Sequence, residues 1–233
     1  MLVKTVLISG ASSVGKTSLC KYLITHLISK GLKPGVCKID CLATDDDIIY
    51  KDLKIPYVVG LSKDVCPDHF LVSNLIELNN WAKSNQCDIL IIETAGLCNR
   101  CSPATNQTLH ICVVDCTSSC KAPSKLGPML TESDAIVLSK IDMVSQAERE
   151  IISYNIRKLN PNSKIFYVDG LVGFGVELVS QYILSSNPIN KKEDHLLRHS
   201  MPSGICSYCI GECRIGDDFQ QGIISKINFK GVI

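Results

Sequence analysis

The residues of this chain that can do chemistry fall into three sets. A glycine-rich loop at residues 10–17, Gly-Ala-Ser-Ser-Val-Gly-Lys-Thr, stands between an apolar run and a run with helical spacing. In such a loop, backbone N–H groups curl around a phosphate, the lysine reaches the outer phosphates and the hydroxyl binds magnesium. Carboxylates end several apolar runs, and cysteines form close-spaced groups. The three sets predict phosphate, magnesium and transition-metal or cluster chemistry.

The glycine-rich loop is a complete P-loop and predicts a nucleoside triphosphatase. We expect Lys16 to contact the β- and γ-phosphates and Thr17 to bind magnesium. The other residues expected to contact the nucleotide here are Gly10, Ser12, Ser13, Val14, Gly15 and Ser18.

Two carboxylates are candidates for the magnesium site, because a hard cation takes oxygen ligands at the end of a neighbouring strand. Glu93 ends the apolar run Ile-Leu-Ile-Ile, and Asp40 ends Val-Cys-Lys-Ile. The alternative for Asp40 is a simple turn aspartate. Gly96 is then placed to offer its N–H to the γ-phosphate, which makes residues 93–101 a switch that senses hydrolysis.

A second nucleotide motif is Ser139-Lys140-Ile141-Asp142, where a P-loop GTPase carries Asn-Lys-x-Asp. The aspartate of that motif accepts both N–H donors of guanine, and the lysine packs along the base. Lys140 and Asp142 therefore favour GTP, with ATP as the alternative. Serine in place of asparagine removes an amide that braces the loop. Gly170, which opens a glycine-containing loop at 170–175, is expected to close over the other side of the base.

Thirteen cysteines are unusual for 233 residues. In a reducing cytosol, close-spaced cysteines are better read as metal or cluster ligands than as disulfides. Cys98 and Cys101 begin two residues after the switch glycine, and a dimer would bring four such thiolates together. The alternative is a pair of unpaired surface thiols.

A denser group stands near the end of the chain, at Cys206, Cys209 and Cys213. Its spacing suits a [4Fe-4S] cluster with one outside ligand, or a zinc knuckle completed by His195, His199 or a distant thiolate. The spacing does not decide between a functional cluster and a structural zinc.

The remaining cysteines are mostly read as packing residues. Cys112 lies in an apolar run, and we interpret it, with Cys116 and Cys120, as a core or loop residue. Isolated cysteines read in the same way are Cys20, Cys37 and Cys87, while Cys41 beside Asp40 is left undecided.

The elements that must position these residues alternate along the chain. Predicted strands cover residues 2–9, 35–39, 57–59, 89–92, 111–114, 135–138 and 165–168; predicted helices cover 17–30, 68–84, 146–159 and 176–184. Nearly continuous apolar strands with helical crossovers indicate a mainly parallel sheet covered on both faces. The fold class is a doubly wound α/β P-loop domain with its ligand site at the carboxyl ends of the strands.

Composition limits the partners and suggests two parts. Charged residues make up 20% of the chain and the net charge is +1, which gives no reason to expect nucleic acid or an anionic membrane. No apolar run has the length of a membrane helix, and the first strand leads directly into the P-loop, so we expect a cytoplasmic protein. A change to polar residues places a boundary between a P-loop domain, 1–187, and a small cysteine-rich tail, 188–233. A metal, a cluster or docking on the first domain would stabilise that tail.

With these motifs in view, residues 3–185 resemble the nickel-insertion GTPases of the hydrogenase and urease accessory families, and more loosely the cobalamin-synthesis-type metal GTPases. The resemblance rests on the P-loop, Ile-Asp-Cys-Leu-Ala-Thr-Asp-Asp-Asp, Cys-Pro-Asp-His, Glu-Thr-Ala-Gly and Ser-Lys-Ile-Asp. It implies that Asp40 and Glu93 serve magnesium and the switches. It also implies a GTP-dependent homodimer that passes a metal to a client metalloenzyme or accessory protein.

The family's metal site is a cysteine and a histidine, adjacent or separated by a proline. Here the stretch Cys66-Pro67-Asp68-His69 is one residue longer. Two copies of Cys66 and His69 across a dimer axis would suit zinc or nickel. The alternative is that Asp68 caps the following helix and His69 merely sits in its first turn.

Three functions follow from these patterns. The first is a GTP-hydrolysing maturation factor that loads a metal centre through Cys98, Cys101 and the other candidate ligands. The second is an iron–sulfur ATPase that passes electrons to a partner, since a cluster cysteine shortly beyond the switch is similar to the nitrogenase iron-protein group. The third is a regulatory GTPase with a purely structural metal.

Overall fold

The computed structural model describes residues 3–96, 101–186, 195–200, 211–220 and 225–229. Seven strands form one sheet: β1 Lys4–Ser9, β2 Pro34–Asp40, β3 Tyr57–Leu61, β4 Ile89–Glu93, β5 Thr108–Asp115, β6 Ala135–Ser139 and β7 Lys164–Tyr167. The six helices of the described residues are α1 Lys16–Ser29, α2 Asp47–Asp52, α3 Pro67–Ser84, α4 Pro128–Thr131, α5 Gln146–Leu159 and α6 Val176–Ser185. All seven predicted strands and all four predicted helices are present, with ends that differ by at most three residues.

The sheet is parallel throughout, in the order β3-β2-β4-β1-β5-β6-β7. β1 lies near the middle, where the first strands leave to one side and the later strands to the other. In a doubly wound sheet the ligand site lies at the carboxyl ends of the strands beside this reversal. The predicted fold class is confirmed for the P-loop domain.

Both faces of the sheet are buried, as the nearly continuous apolar strands predict. Leu7 packs into a core beneath α3, whereas Val6 and Ile8 pack into a second core beneath α1 and α6. This alternation fixes the register of β1, because a slip of one residue would exchange the two faces. The end of β1, and with it the start of the P-loop, is therefore held in place by core packing.

The described parts of the tail pack against the P-loop domain at two places. The first is the segment at 101–108, which we call the post-switch segment. Leu197 forms a β-bridge with Thr105, and the Arg198 N–H donates to the Ala104 carbonyl at 2.9 Å. The Arg198 guanidinium also donates both of its terminal nitrogens to the Asp134 carboxylate, at 2.8 and 2.9 Å.

The second attachment is helix α3. The buried Asn74 amide donates to the Ser225 carbonyl at 2.9 Å and accepts from the Ile227 N–H at 2.8 Å. Leu197, Ile215 and Ile227 add apolar surface to the core beneath α3. The tail therefore joins α3 to the post-switch segment. The boundary between residues 187 and 188 stays a prediction, because 187–194 lie outside the described residues.

No helix formed by the described residues has both the length and the apolar character needed to cross a bilayer.

Candidate nucleotide site and thiolate cluster

The P-loop lies between β1 and α1, as the sequence predicts. Gly10 adopts a φ of +143°, and a Cβ there would lie 2.5 Å from the Val113 carbonyl oxygen, so only glycine fits. The Lys16 ammonium folds back over the loop and donates to the carbonyls of Gly10 at 3.0 Å and Ala11 at 2.7 Å. Lys16 is 5% exposed, and burial lowers its pKa, although Glu93 acts in the opposite direction.

Gly96 closes this loop from the side of β4. A Cβ on Gly96 would lie 2.2 Å from the Gly10 carbonyl oxygen and 2.7 Å from the Lys16 Nζ, and its φ is +77°. The hydroxyl of Ser12 lies 3.5 Å from the Gly96 carbonyl. The predicted switch residue is thus in direct contact with the P-loop.

The Thr17 hydroxyl faces two carboxylates. It donates to Glu93 Oε1 at 2.7 Å and lies 3.2 Å from Asp46 Oδ2. Glu93 is 1% exposed, and its other oxygen accepts from the Tyr50 hydroxyl at 2.7 Å. This set of hydroxyl and carboxylate oxygens fits magnesium, a hard cation, so Thr17, Glu93 and Asp46 are the residues that would hold it.

The second carboxylate predicted for the magnesium site, Asp40, differs from Glu93 in its contacts. Asp40 ends β2, and its carboxylate accepts from the Cys41 N–H at 2.8 Å, the arrangement of a turn aspartate. Asp46 rather than Asp40 contacts Thr17. In the sequence, Asp46 belongs to a run of three aspartates, and Lys38, which pairs with Asp46 at 2.7 Å, is a charged residue inside an apolar strand. Neither pattern indicates which of these side chains turns inward.

The base motif lies beside the P-loop. The Ser139 hydroxyl donates to the Val14 carbonyl at 2.6 Å, so the serine does brace this loop, contrary to the expectation from the missing asparagine amide. Lys140 pairs with Asp115 at 2.6 Å and donates to the Ser13 carbonyl at 3.0 Å. The Ser139 side chain, although shorter than that of asparagine, reaches the P-loop because the end of β6 lies beside it.

A cleft of about 200 Å³ opens next to this motif. Ser18, Ser139, Lys140, Asp142 and Gly170 are among the residues that line it. Its walls are mostly apolar, from residues such as Val137, Met143 and Leu171, which suits a planar base. The two predicted sides of a base site are therefore present around one cleft.

The family follows from a match over more than half of the chain. Residues 4–167 match the CobW/HypB/UreG nucleotide-binding domain. The chain belongs to this family. Its members are GTPases, and the chain is a nucleoside triphosphatase, as the P-loop predicts.

The relatives differ in the share of this chain that their similarity covers. An uncharacterized protein of Methanocaldococcus jannaschii is 47% identical over 226 residues, which are 97% of each chain. The urease accessory protein UreG 2 of Streptomyces griseus is 28% identical over 197 residues, covering 78% of this chain and 87% of the relative.

Solved structures of the family share the fold. The hydrogenase maturation factor HypB from Archaeoglobus fulgidus has a TM-score of 0.63 at 21% identity and covers 78% of this chain and 89% of its own. HypB from Helicobacter pylori in complex with nickel has a TM-score of 0.65 at 18% identity, with 78% and 86% covered. At these identities the likeness concerns the fold alone.

In this member of the family, two cysteines that stand far apart in sequence meet. One ligand atom from each of Cys66, Asp68 and Cys101 lies within 4.8 Å of the other two, and we call this group the thiolate cluster. The Cys101 thiol donates to Asp68 Oδ2 at 3.2 Å. Thiolate and carboxylate ligands of this kind suit zinc or a similar transition metal.

The position of the cluster explains its electrostatics. Cys66 stands at the N-cap position of α3, and the nearby Cys101 thiol together with the backbone N–H groups of His69 and Asp68 lowers its pKa to about 5. Burial and the nearby Cys66 raise the pKa of Asp68 to about 7. Burial also lowers the pKa of His69. Cys66 is therefore a thiolate near neutral pH, the form that binds metals.

Other predicted ligands have mixed outcomes. Cys66 rather than Asp68 occupies the N-cap position of α3, without a side-chain capping hydrogen bond, so the Asp68 cap in the predicted alternative is wrong, whereas its placement of His69 in the first turn is confirmed. His69 lies in the first turn of α3 but is not part of the cluster found among the described residues. Cys213 is half-buried against the core beneath α3. Cys98, Cys206 and Cys209 lie outside the described residues, so their roles stay predictions.

The cysteines read as packing residues are mostly confirmed. Cys20, Cys37, Cys87, Cys112 and Cys116 are each at most 2% exposed, and Cys120 is partly buried. Burial raises the pKa of Cys112 to about 12 and that of Cys116 to about 11. Such thiols stay protonated near neutral pH in the metal-free protein, as expected of packing residues.

Proposed function

We propose that this chain is a GTP-hydrolysing metallochaperone that holds a transition metal in the thiolate cluster and passes it to a client metalloenzyme. The family match supports the nucleotide half of this function. HypB from Helicobacter pylori was solved in complex with nickel, which supports nickel as cargo. The ligand set fits zinc equally well.

The nucleotide half uses the P-loop and the base cleft. Lys16 would balance charge on the outer phosphates, and magnesium held near Thr17 and Glu93 would supply the remaining electrostatic stabilisation. Asp142 and Lys140 line the base cleft in the arrangement of the guanine motif, so GTP is the proposed substrate. Asp40 stays a candidate switch residue at the end of β2.

The observation that carries the metal half is the short path between the two sites. Gly96 contacts the P-loop, and five residues later the Cys101 thiol contacts Asp68 in the thiolate cluster. A change of the γ-phosphate that moves Gly96 would therefore act on the same chain segment that supplies a metal ligand. Nucleotide hydrolysis and metal release are coupled in this proposal.

The iron–sulfur alternative is less well supported. Within the described residues the cluster has two thiolates and one carboxylate, whereas iron–sulfur clusters are commonly held by four thiolates. The family match adds no support for electron transfer. A nucleotide-dependent homodimer, with His69 and Cys98 as further ligands, stays part of the proposal and is tested by light scattering with and without GTP and magnesium.

Metal binding by single-cysteine variants tests the proposal. Under anaerobic conditions, we expect the full chain to bind one nickel or zinc ion per protomer, measured by elemental analysis after gel filtration. Cys66→Ser and Cys101→Ser should each weaken binding by at least about tenfold, since each removes one ligand. Both variants should still hydrolyse GTP.

Cys120→Ser is the matched control, because Cys120 is also partly buried but packs in the core near α5. It should bind metal as the unmodified chain does. Full metal binding by a Cys66→Ser, Cys101→Ser double variant would rule out the thiolate cluster as the cargo site. A brown, reducible chromophore that contains sulfide would instead favour the electron-transfer alternative.

A further inference from the structure

A buried lysine stands at the magnesium position of the nucleotide site. Lys38 lies in β2 opposite Glu93 of β4, and its side chain is 6% exposed. The Lys38 Nζ lies 2.6 Å from Glu93 Oε1 and 2.7 Å from Asp46 Oδ2. With a carboxylate oxygen at hydrogen-bond distance from each of two acidic residues, the side chain is held as an ammonium ion.

The ammonium shares its partners with Thr17. Glu93 Oε1 and Asp46 Oδ2 are the same two oxygens that face the Thr17 hydroxyl, at 2.7 and 3.2 Å. A magnesium ion in a P-loop site needs the threonine hydroxyl and a carboxylate oxygen. Two cations on the same carboxylate oxygens repel each other strongly, because the site is buried and poorly screened.

We propose that Lys38 is an internal cation that competes with Mg²⁺ for the carboxylate pair Glu93 and Asp46. The inference rests on the nucleotide site alone and does not depend on the metal cargo. Lys38 then keeps two acidic groups paired whenever magnesium is not on them. Loss of these carboxylates to magnesium would cost free energy, because a buried ammonium without partners is unfavourable.

This cost makes magnesium binding depend on the nucleotide. In the presence of magnesium alone, the Lys38 ammonium would lose its acceptors and gain no others. In the presence of magnesium and GTP, the ammonium could donate instead to phosphate oxygens of the nucleotide. The chain should therefore bind the magnesium–nucleotide complex but not free magnesium.

Displacement would also act on β2 and α2. Lys38 and Asp46 pair with each other, and Tyr50 of α2 donates to Glu93, so this part of the chain is tied to the end of β4. Replacement of the Lys38 ammonium by magnesium would change this ion pair and this hydrogen bond. Lys38 thus couples the region between β2 and β3 to the state of the magnesium site.

Thermal unfolding with magnesium alone tests the competition. For the full chain without nucleotide, we expect millimolar MgCl₂ to leave the Tm unchanged. Lys38→Gln leaves the carboxylates without their cation, so its Tm should be lower in EDTA and should rise when MgCl₂ is added. The magnesium concentration that half-saturates binding of a fluorescent GTP analogue should fall by about fivefold or more in the variant.

Lys4→Gln is the matched control. Lys4 is also a strand lysine, but its ammonium donates to main-chain carbonyls such as Ile183 O at 2.6 Å rather than to carboxylates. Its Tm should show no magnesium response. Equal magnesium responses in the unmodified chain and in Lys38→Gln would overturn the proposal.

A second variant decides the case in which Lys38→Gln does not fold. The double variant Lys38→Gln with Glu93→Gln removes the acid together with the ammonium, and we expect it to fold with a Tm that ignores magnesium. A double variant that stays unfolded would show that the lysine serves packing rather than charge, and the proposal would fail.

Discussion

Among single residues, Ser139 uses a short hydroxyl side chain to brace the P-loop, a role that asparagine has in the Asn-Lys-x-Asp motif. Its hydroxyl reaches the Val14 carbonyl at 2.6 Å because the end of β6 lies beside the P-loop. The connection between the base motif and the phosphate loop is thus preserved. In the proposed function, base recognition then depends on Asp142, whose carboxylate can accept two hydrogen bonds from guanine.

Asp142→Ala should weaken GTP binding without unfolding the chain. Hydrogen bonds to a charged group contribute about 1.5–3 kcal/mol, so we expect a loss of about 10- to 100-fold in GTP affinity. ATP affinity should change little, because the phosphate contacts are untouched. Competition against a fluorescent nucleotide measures both. Equal losses for GTP and ATP would show that Asp142 does not read the base.

Asp68 gives the stability of the chain a dependence on pH. Its pKa is about 7 in the folded protein, raised by burial and by Cys66 from the ordinary value of 3.8. The folded state therefore keeps this proton to higher pH than the unfolded state. Stability from this group is present below about pH 4 and is lost as the pH rises through 7.

Asp68→Asn should remove this loss. Relative to the unmodified chain, we expect the variant to gain about 1–3 kcal/mol in free energy of unfolding between pH 5 and pH 8. Cys66, whose low pKa acts in the opposite direction, is present in both proteins, and Cys101 and His69 are the other titratable neighbours. Urea unfolding of the metal-free, reduced proteins measures the difference. A difference that does not change with pH would contradict the assignment.

Among the elements, α3 is the one that joins the most distant parts of the chain. Its N-terminus carries Cys66 and Asp68, and its middle carries Asn74, which pairs with two backbone groups of the tail. Asparagine offers a donor and an acceptor on one planar group, so it can satisfy a carbonyl and an N–H together. The tail is thereby held on a helix that also carries two of the proposed metal ligands.

Asn74→Ala should loosen the tail. It leaves the Ile227 N–H and the Ser225 carbonyl without their partner, at a cost of about 1–3 kcal/mol for each buried group. We expect a lower Tm and faster proteolysis after residue 195, with nucleotide binding retained. Asn79→Ala is the control, because Asn79 on the same helix bonds Thr5 and Leu75 rather than the tail. Equal proteolysis of both variants would argue against a role of Asn74 in holding the tail.

The strands, the longer helices and their order could be predicted from the sequence with small errors in the positions of their ends. Apolar strands and helical spacing are local patterns, and a chain in which both faces of a sheet are buried repeats them clearly. α2 was missed because a helix of six residues at Asp47–Asp52 has too few turns to show a period. The P-loop was found because its chemistry requires a contiguous motif.

At the scale of the whole molecule, the nucleotide site and the thiolate cluster share the chain between Gly96 and Cys101. If both sites act on this segment, their binding free energies are coupled, and the coupling is the same in either direction. GTP with magnesium should change metal affinity by the same factor by which the metal changes GTP affinity.

Gly96→Ala tests this coupling. The new Cβ would lie 2.2 Å from the Gly10 carbonyl, so we expect the P-loop to shift and GTP affinity to fall by at least about tenfold. Metal affinity without nucleotide should stay, but it should no longer respond to GTP. Gly31→Ala is the control, since Gly31 has a similar φ of +78° and open space around it. A nucleotide response that survives in Gly96→Ala would contradict the coupling.

Contacts between distant parts of the chain were the part that could not be predicted. Cys66 and Cys101 belong to separate motifs, and neither motif indicates that they meet. The pairing of Lys38 with Glu93 depends on the register of β2 against β4, and the docking of the tail depends on the amide of Asn74. Such contacts are set by packing in three dimensions, which a pattern along the chain does not encode.

The attachment of the tail has a consequence for the order in which the protein forms during translation. Leu197, Ile215 and Ile227 leave the ribosome after α3 and the post-switch segment, and they pack into the core beneath α3. Until then, the proposed metal ligands Cys66 and Cys101 belong to a nascent chain that lacks these packing contacts. Docking of the tail can therefore follow only after the P-loop domain has been synthesised, and in the proposed function it completes the surroundings of the cargo site.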